Sequence, residues 1–192
     1  AGLFALWCAG RIALLASGAI GVPVAAAVDA LFLPVLLAIC TREVVAGRKW
    51  KDLKVLGGLL ALSLANALYH VAAIDGGHDH MAIRLAVSAY VVLVMIVGGR
   101  ILPSFTRNWL NKVGRTDFPV PYNRFDMAAI LAGTAALGAW AIWPDHPATA
   151  FAGLAAAALH CIRLHRWRGW TTAREPILVI LHIAYLFVPL GL

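Results

Sequence analysis

Hydrophobic residues in this 192-residue chain form long stretches that are separated by short polar loops. Seven of these stretches approach the ~20 residues that a helix needs to cross the hydrocarbon core of a membrane. They cover residues 3–20, 23–41, 55–74, 83–102, 126–143, 148–165 and 177–192. A backbone inside lipid must satisfy its own hydrogen bonds, so each stretch is predicted to be an α-helix. We predict an all-α fold, a polytopic transmembrane helix bundle of about seven spans, with residues 1–192 forming a single integral membrane domain.

The charges in the loops alternate along the chain. Thirteen of the sixteen Lys and Arg residues fall within residues 42–54, 104–125 and 163–175. The intervening loops, residues 20–23, 75–82 and 144–147, contain no Lys or Arg. Cytoplasmic loops of membrane proteins carry the excess of basic residues. We therefore predict that the three basic loops and the N-terminus of this chain face the cytoplasm.

Composition supports a membrane location and argues against nucleic-acid binding. The chain is 62% hydrophobic and 13% charged, with a mean hydropathy of +0.83, which is far from the usual range for soluble domains. The net charge of +7 could suggest nucleic acid, but the basic residues lie between apolar segments, so the expected partner is the lipid bilayer.

The chain begins at Ala1 rather than methionine and is still apolar at Leu192. We expect it to be a piece of a longer membrane protein, truncated at both ends.

Two charged residues lie inside the first two predicted spans. Arg11 lies ~10 residues before the turn near Pro23, and Asp29 follows that turn at a similar depth, given a rise of about 1.5 Å per residue. Because a charge in the membrane needs a partner, we predict an ion pair between them. A proton or anion pathway is the alternative. Pro34, in the second span, is expected to kink that helix.

Histidines are the leading candidates for metal chemistry. His70 ends the third span, His160 and His165 lie in the last turns of the sixth, and His182 lies within the seventh. Haem iron and copper both accept imidazole nitrogen, and helix bundles present such ligands inward. The simpler alternative to metal ligation is that these histidines form hydrogen bonds with other side chains. Asn66 is then a candidate partner of His70, and Tyr185 of His182.

Two further residue types suggest metal sites less strongly. His78 and His80 resemble a surface copper or zinc site, although a solvated loop is the simpler interpretation. Cys8, Cys40 and Cys161 all lie in apolar spans and share no loop, so they predict neither a disulfide framework nor a zinc site. Packing is their simplest role.

A distinctive segment follows the fourth span, residues 98–110 with the sequence GGRILPSFTRNWL. Gly98 and Gly99 are expected to allow another helix to approach closely. We predict that Pro103 stops the helix and that a short interfacial helix follows it. Arg100 and Arg107 would lie at the membrane boundary, where they could bind an anion such as a haem propionate. Snorkelling to the interface is the alternative for both arginines.

This segment resembles the GGRxxPxFTRN signature of the NnrS family, which are membrane proteins associated with the bacterial response to nitric oxide. Five other stretches are similar to the same family: residues 64–70 (LANALYH), 145–147 (DHP), 166–170 (RWRGW), 174–176 (REP) and 181–185 (LHIAY). The resemblance implies a bacterial inner-membrane helical protein of about a dozen spans that contains haem and copper. The histidine-rich segments expected at the two ends of such a protein are absent from this chain, which therefore looks like the central part.

The sequence thus predicts an NnrS-like protein that confers tolerance to nitric oxide or nitrosative stress. The resemblance implies haem, and copper as a second metal, with nitric oxide as a small-molecule ligand. The predicted cofactor-binding residues are His70, His182, His160, Arg100 and Arg107, of which His70 and His182 are the predicted metal ligands. Two alternatives stay open: a transporter or permease with a path along Arg11, Asp29 and Arg100, and a nitric-oxide sensor that signals through another protein. Whether the protein is an enzyme is left open by the sequence.

Overall fold

The structure is a computed structural model that describes residues 2–76 and 80–192. All the regular elements in these two ranges are helices, which confirms the predicted all-α class. The α-helices are α1 (Gly2–Leu15), α2 (Ser17–Ile20), α3 (Val22–Ala30), α4 (Phe32–Ala46), α5 (Leu53–Ile74), α6 (His80–Lys112), α7 (Arg124–Ile142), α8 (Pro147–Arg166) and α9 (Pro176–Gly191). Short 3-10 turns lie at Trp50–Asp52 and Gly169–Thr172. His78, one of the loop histidines discussed above, lies outside the described residues.

Five helical stretches in the described residues are long and apolar enough to cross a membrane. They are Val22–Ala46, which combines α3 and α4, and helices α5, α6, α7 and α8. The first and last predicted spans are also apolar helices, but α1 has 14 residues and α9 has 16. The protein is therefore a helical membrane protein.

The second span is interrupted near Pro34, as the sequence predicted. Helix α3 ends at Ala30 and α4 begins at Phe32. Pro34 has no N–H group to donate to the carbonyl of Ala30, four residues earlier. The interruption places Asp29 in the last turn of a short helix.

The prediction that Pro103 stops the fourth helix is wrong. Helix α6 continues through Pro103 to Lys112. A proline removes one backbone hydrogen bond and crowds the carbonyl four residues earlier, and that position is Gly99, in a segment with two adjacent glycines. Beyond the proline, Leu102, Thr106 and Leu110 are buried on one face, and this burial holds the last turns in helical form. With 33 residues, α6 is about 50 Å long, which exceeds the ~30 Å hydrocarbon core.

The chain forms two compact units, Ala1–Tyr90 and Val91–Leu192. In the first unit, α1 packs against α3, and α3 and α4 pack against α5. In the second unit, α8 packs against both α7 and α9. The core of the second unit is formed by Met95, Leu102, Leu137, Trp167, Tyr185 and Val188. The predicted single domain over residues 1–192 stays a prediction.

Two loop segments cap the helices that follow them. Asn123 caps α7 by accepting a hydrogen bond from the amide of Phe125 (2.9 Å), while the Asp126 carboxylate accepts one from the amide of Asn123 (3.1 Å). The His146 ring accepts a hydrogen bond from the amide of Ala148 at the start of α8 (3.1 Å), directly before Pro147. These caps satisfy N–H groups that the first turn of each helix leaves without a partner.

Candidate functional site

His182 lies on α9, buried, with its two ring nitrogens in different environments. Its Nδ1 lies 2.8 Å from the carbonyl oxygen of Leu178, one turn earlier. A carbonyl can only accept, so Nδ1 carries the proton and Nε2 carries the lone pair. The Nε2 contacts the hydroxyl of Thr106 on α6 at 3.5 Å, which is at the outer limit of a hydrogen bond. One nitrogen held by an acceptor and the other left with its lone pair is the arrangement of a metal-ligating histidine.

A groove of about 470 Å³ lies beside this ring. Its lining is apolar apart from a few side chains and consists of Cys161, Leu164, His165, Gly169, Trp170, Ala173, Val179, His182, Ile183 and Leu186. Gly169 lies against the imidazole: a Cβ at this position would be 2.5 Å from Cδ2 of His182. The size and apolar character of the groove are those of a small-molecule site, for which about 300–1,000 Å³ is usual.

Within the described parts of the chain, no three His, Cys, Asp or Glu side chains are grouped as a metal site. His165 and Cys161 border the same groove as His182, but the His165 ring contacts the Trp170 ring in a tilted arrangement, with 4.5 Å between the ring centroids. A metal in the groove would therefore have His182 as its protein ligand from this set. A single protein ligand suits a metal whose other ligands belong to a cofactor.

A second cluster is centred on Arg163 of α8, which is 0% exposed. Its Nε donates to Asp126 Oδ1 (3.0 Å), and its Nη1 donates to the carbonyl of Met95 (2.9 Å) and to the hydroxyl of Tyr185 (2.8 Å). Its Nη2 is buried without a hydrogen-bond partner among the residues that the structure describes.

The sequence placed Arg163 in a cytoplasmic basic loop, and this placement is wrong. The apolar face of α8 continues past the arginine to Trp167, and Asp126 neutralises its charge.

Three glycines provide the space for this cluster. A Cβ at Gly99 would collide with the guanidinium of Arg163, and one at Gly98 would be 2.9 Å from the ring of Tyr185. On α7, a Cβ at Gly133 would be 2.8 Å from the sulfur of Met95 and 3.0 Å from Nε2 of His160. The side chains of Arg163 and Tyr185 fill the space beside the paired glycines. The close approach of another helix at this point stays a prediction.

His160 lies in the same cluster, with both ring nitrogens in hydrogen bonds. Its Nε2 donates to the carbonyl of Ala129 (3.0 Å), and its Nδ1 accepts from the hydroxyl of Tyr185 (2.9 Å). A metal at His160 would have to replace one of these bonds. Ligation through His160 stays a prediction, and the structure gives it a more difficult geometry than His182. Tyr185, which the sequence offered as a partner of His182, contacts His160 instead.

In the first unit, the predicted ion pair between Arg11 and Asp29 is present. His70 joins it, and its Nε2 lies 2.9 Å from the other Asp29 oxygen. Three helices, α1, α3 and α5, thus contribute one group each to a carboxylate-centred cluster. Gly10 allows the approach, since a Cβ there would be 2.9 Å from the Asp29 carboxylate. The partner of His70 is therefore Asp29, not the predicted Asn66.

The two arginines of the GGRILPSFTRNWL segment lie on exposed parts of α6. The guanidinium of Arg107 lies over the ring of Phe118, 5.0 Å from its centroid. Arg100 is exposed and lies one position after the glycine that contacts Arg163. Their predicted role in anion binding stays a prediction. Thr106, which directly precedes Arg107 in this segment, is the residue that contacts His182, a predicted metal ligand.

An ion cluster links two loops at the same end of the second unit. Asp117 accepts two hydrogen bonds from Arg115, at 2.9 and 2.6 Å, and lies 3.5 Å from Nη2 of Arg168. The hydrogen bonds from Arg115 are the main reason that the pKa of Asp117 is below its ordinary value of 3.8. Arg115 thus satisfies both oxygens of this carboxylate, while Arg168 has only a long contact.

Sequence reasoning missed Thr106, Asp126 and Arg163. Partial signals exist: Asn123 and Asp126 have the spacing of a capping box, and His160 and Arg163 have the three-residue spacing of one helix face. No sequence signal distinguishes a buried arginine at a helix end from a basic loop residue.

Comparisons with known proteins identify one family. The profile of the family described as NnrS protein matches residues 1–192, the whole chain. Neither the curated proteins nor the solved structures include a match to this chain. With the six matching stretches and the helical membrane fold, this match is decisive: the chain belongs to the NnrS protein family.

Proposed function

We propose that this NnrS-family membrane protein supports tolerance to nitric oxide and nitrosative stress, and that it binds haem through His182. The observation that carries the proposal is the state of the His182 ring. Its Nδ1 is held by Leu178, its Nε2 keeps a lone pair, and it borders an apolar groove of about 470 Å³.

The residues around the groove fit a haem group. The lining is apolar on both helices, which suits a porphyrin and excludes water from its metal. Gly169 packs directly against the His182 ring, since a Cβ at this position would be 2.5 Å from Cδ2. When bound, haem would supply an iron at which nitric oxide can bind. The contribution of this chain is to hold the imidazole tautomer through Leu178 and to keep the site apolar.

His70 is the second proposed ligand. The Asp29 carboxylate holds its Nε2, as a carboxylate commonly holds the second nitrogen of a metal-bound histidine. Its Nδ1 lies outside this ion pair and is the atom that a metal would use. We place the expected copper here in preference to the haem groove, because an imidazole with a carboxylate behind it is a good ligand for copper.

The bacterial inner membrane is the proposed location, with the N-terminus of the chain in the cytoplasm. The support is the alternation of basic and non-basic loops along the chain. Arg163 does not add to this support, because it is buried within α8.

The transporter alternative has less support. Arg11 and His70 each bond to Asp29, so two of the three charges proposed for a substrate path, those of Arg11 and Asp29, satisfy each other instead. The sensor alternative shares the haem site and differs only in the output, since bound nitric oxide would change the contact with a second protein.

The test is the haem spectrum of the intact protein, purified in detergent after expression with sufficient haem. We expect a Soret band that shifts when nitric oxide is added. His182→Ala should remove or shift the band, whereas His165→Ala, at the same groove, should leave its position unchanged. A strain that carries His182→Ala should also lose growth in the presence of a nitric-oxide donor. If the intact protein has no Soret band, the haem proposal is wrong.

A further inference from the structure

The loop between α8 and α9 lies at the boundary between lipid and water. It follows α8, whose Pro147–Arg166 stretch is apolar enough to cross a membrane. Ile162, near the end of α8, and Ile177, at the start of α9, are exposed on either side of this loop, and so is Trp170 within it. Exposed apolar side chains on membrane-crossing helices face lipid, and tryptophan is enriched at the level of the headgroups. Ile162 lies no more than about 9 Å before Arg168 along the axis of α8, so Arg168 lies at the depth of phospholipid headgroups.

Two arginines at this boundary contact one carboxylate. Asp117 accepts two hydrogen bonds from Arg115, at 2.9 and 2.6 Å. Nη2 of Arg168 lies 3.5 Å from Oδ2 of Asp117, the atom that already accepts the shorter of these bonds. Arg115 thus neutralises Asp117, whereas Arg168 has only a long contact with it. The two guanidinium groups and one carboxylate therefore leave one positive charge in excess.

The guanidinium of Arg168 is weakly bonded but accessible. Its Nε is buried without a hydrogen-bond partner among the described residues, while the side chain as a whole is 38% exposed. The backbone at this position is held, because the N–H of Arg168 donates to the carbonyl of His165 (3.0 Å) and its carbonyl accepts from the hydroxyl of Thr171 (2.8 Å). The planar fork of a guanidinium matches two oxygens of a phosphate. A phosphate would give the outer nitrogens of Arg168 the short hydrogen bonds that a 3.5 Å contact does not.

The surroundings of these three side chains are strongly basic. Residues 104–126 and 163–175 contain eight Lys and Arg residues against three Asp and Glu residues. One of the three, Asp126, is buried against Arg163, so it does not offset the charge at the surface. A basic surface at the membrane boundary attracts headgroups with a net negative charge more than zwitterionic ones.

We propose that Arg168 binds the phosphate of an anionic phospholipid, such as phosphatidylglycerol, at this boundary. Arg115 assists by neutralising Asp117, which would otherwise pair with Arg168 and repel the lipid. The exposed Ile162 and Trp170 favour a lipid over a soluble phosphate, because acyl chains can lie along them. Asp117 belongs to the loop before α7 and Arg168 to the loop after α8, so the headgroup stabilises the contact between the two loops. The proposal goes beyond the proposed haem function and does not rest on it.

The test is a lipid titration of the intact protein in detergent, after copurified lipid has been removed. The probes are phosphatidylglycerol, phosphatidylcholine and glycerol phosphate, which has the phosphate but no acyl chains. Binding is measured by native mass spectrometry and by the shift in unfolding temperature. The variants are Arg168→Gln and Arg168→Lys, and Arg124→Gln is the matched control, because Arg124 is an exposed arginine at the start of α7.

We expect wild type to bind phosphatidylglycerol roughly tenfold more tightly than Arg168→Gln does, which is the effect of about one charge-assisted hydrogen bond. Arg168→Lys keeps the charge but loses the planar fork, so it should recover only part of the affinity. Arg124→Gln should bind like wild type. Higher salt should weaken binding to wild type, because this contact is at the surface.

Two variants test the proposal without a change to Arg168. Asp117→Asn removes the carboxylate that competes with the phosphate, so it should tighten the binding of phosphatidylglycerol. Arg115→Gln leaves Asp117 free to pair with Arg168, so it should weaken binding. These opposite effects distinguish a specific site from general attraction and keep the test valid if Arg168→Gln does not fold.

Three results would overturn the proposal. If wild type binds phosphatidylglycerol and phosphatidylcholine equally, the site does not recognise an anionic headgroup. If Arg124→Gln weakens binding as much as Arg168→Gln, the attraction comes from the diffuse charge of the basic loops. If glycerol phosphate binds as tightly as phosphatidylglycerol, the ligand is a soluble anion. None of these results changes the haem spectrum, so the proposed haem function is tested separately.

Discussion

The guanidinium of Arg163 occupies the space that the side chain of any other residue at Gly99 would need. A Cβ at Gly99 would overlap Nη2 of this arginine. The glycine pair of the GGRILPSFTRNWL segment thus allows a charged residue from α8 to reach the backbone of α6, where it bonds to the carbonyl of Met95. The glycine pair that helps to identify the family in sequence therefore provides, in the structure, the space for the buried guanidinium of Arg163.

The first prediction concerns this glycine. Gly99→Ala should destabilise the protein by about 1–3 kcal/mol, because the added methyl group displaces a side chain that has no free space. The measurement is thermal unfolding in a fixed detergent. Gly138→Ala in α7 is the matched control, since a Cβ there has no neighbour within 4 Å, and alanine favours a helix more than glycine does. Equal unfolding temperatures for the two variants would contradict the assignment.

The second prediction concerns the ion pair between Arg163 and Asp126. Both side chains are almost fully buried, so removal of one partner leaves an uncompensated charge, and the cost should be about 3–5 kcal/mol for Arg163→Met. The double variant Arg163→Met/Asp126→Leu should recover part of this loss. Asp126→Leu also removes a capping interaction of α7, so recovery should be incomplete. Additive single effects in the double-mutant cycle would show that the two groups are not coupled.

The helical class and the burial of Arg163 show which parts of the fold can be predicted from the sequence and which cannot. The apolar segments and the helical class follow from hydropathy, because lipid forces the backbone to satisfy its own hydrogen bonds. Arg163 was placed in a loop because a basic residue at the end of an apolar stretch resembles a positive-inside signal. Its burial depends on Asp126, 37 residues earlier, and on Gly99 in a third helix.

The same contrast applies to the histidines. The sequence identified His70, His160 and His182 as intramembrane residues of interest, but it did not indicate which ring nitrogen each would keep available. The neighbours in space determine this. They are Asp29 for His70, Tyr185 and Ala129 for His160, and Leu178 for His182. Pro103 is a similar case, since local propensity predicts a helix end and tertiary burial of Leu102 and Thr106 overrides it.

The third prediction concerns the carboxylate in the first unit. Asp29→Asn should destabilise the protein by about 1.5–3 kcal/mol, the range for hydrogen bonds to charged groups, because it removes the charge that Arg11 and His70 share. The side chain of Arg11 is 50% exposed, so it can turn outward and the loss should not exceed this range. Glu43→Gln, in the exposed pair with Arg42, should cost less than about 1 kcal/mol. A similar loss for both variants would show that the buried cluster adds no stability.

The last prediction concerns the pH dependence of the loop contact between Asp117, Arg115 and Arg168. Hydrogen bonds from Arg115 lower the pKa of Asp117 in the folded protein below 3.8. The contribution of this carboxylate to stability is therefore complete above its ordinary pKa and is lost as the pH falls through the lowered value. The difference in unfolding temperature between wild type and Asp117→Asn should be constant from about pH 5 to 7 and shrink below about pH 4. Arg115→Gln should move the onset of this loss to higher pH, because the group that lowers the pKa is gone. If the difference persists unchanged to pH 3, the carboxylate makes no charge-dependent contact in solution.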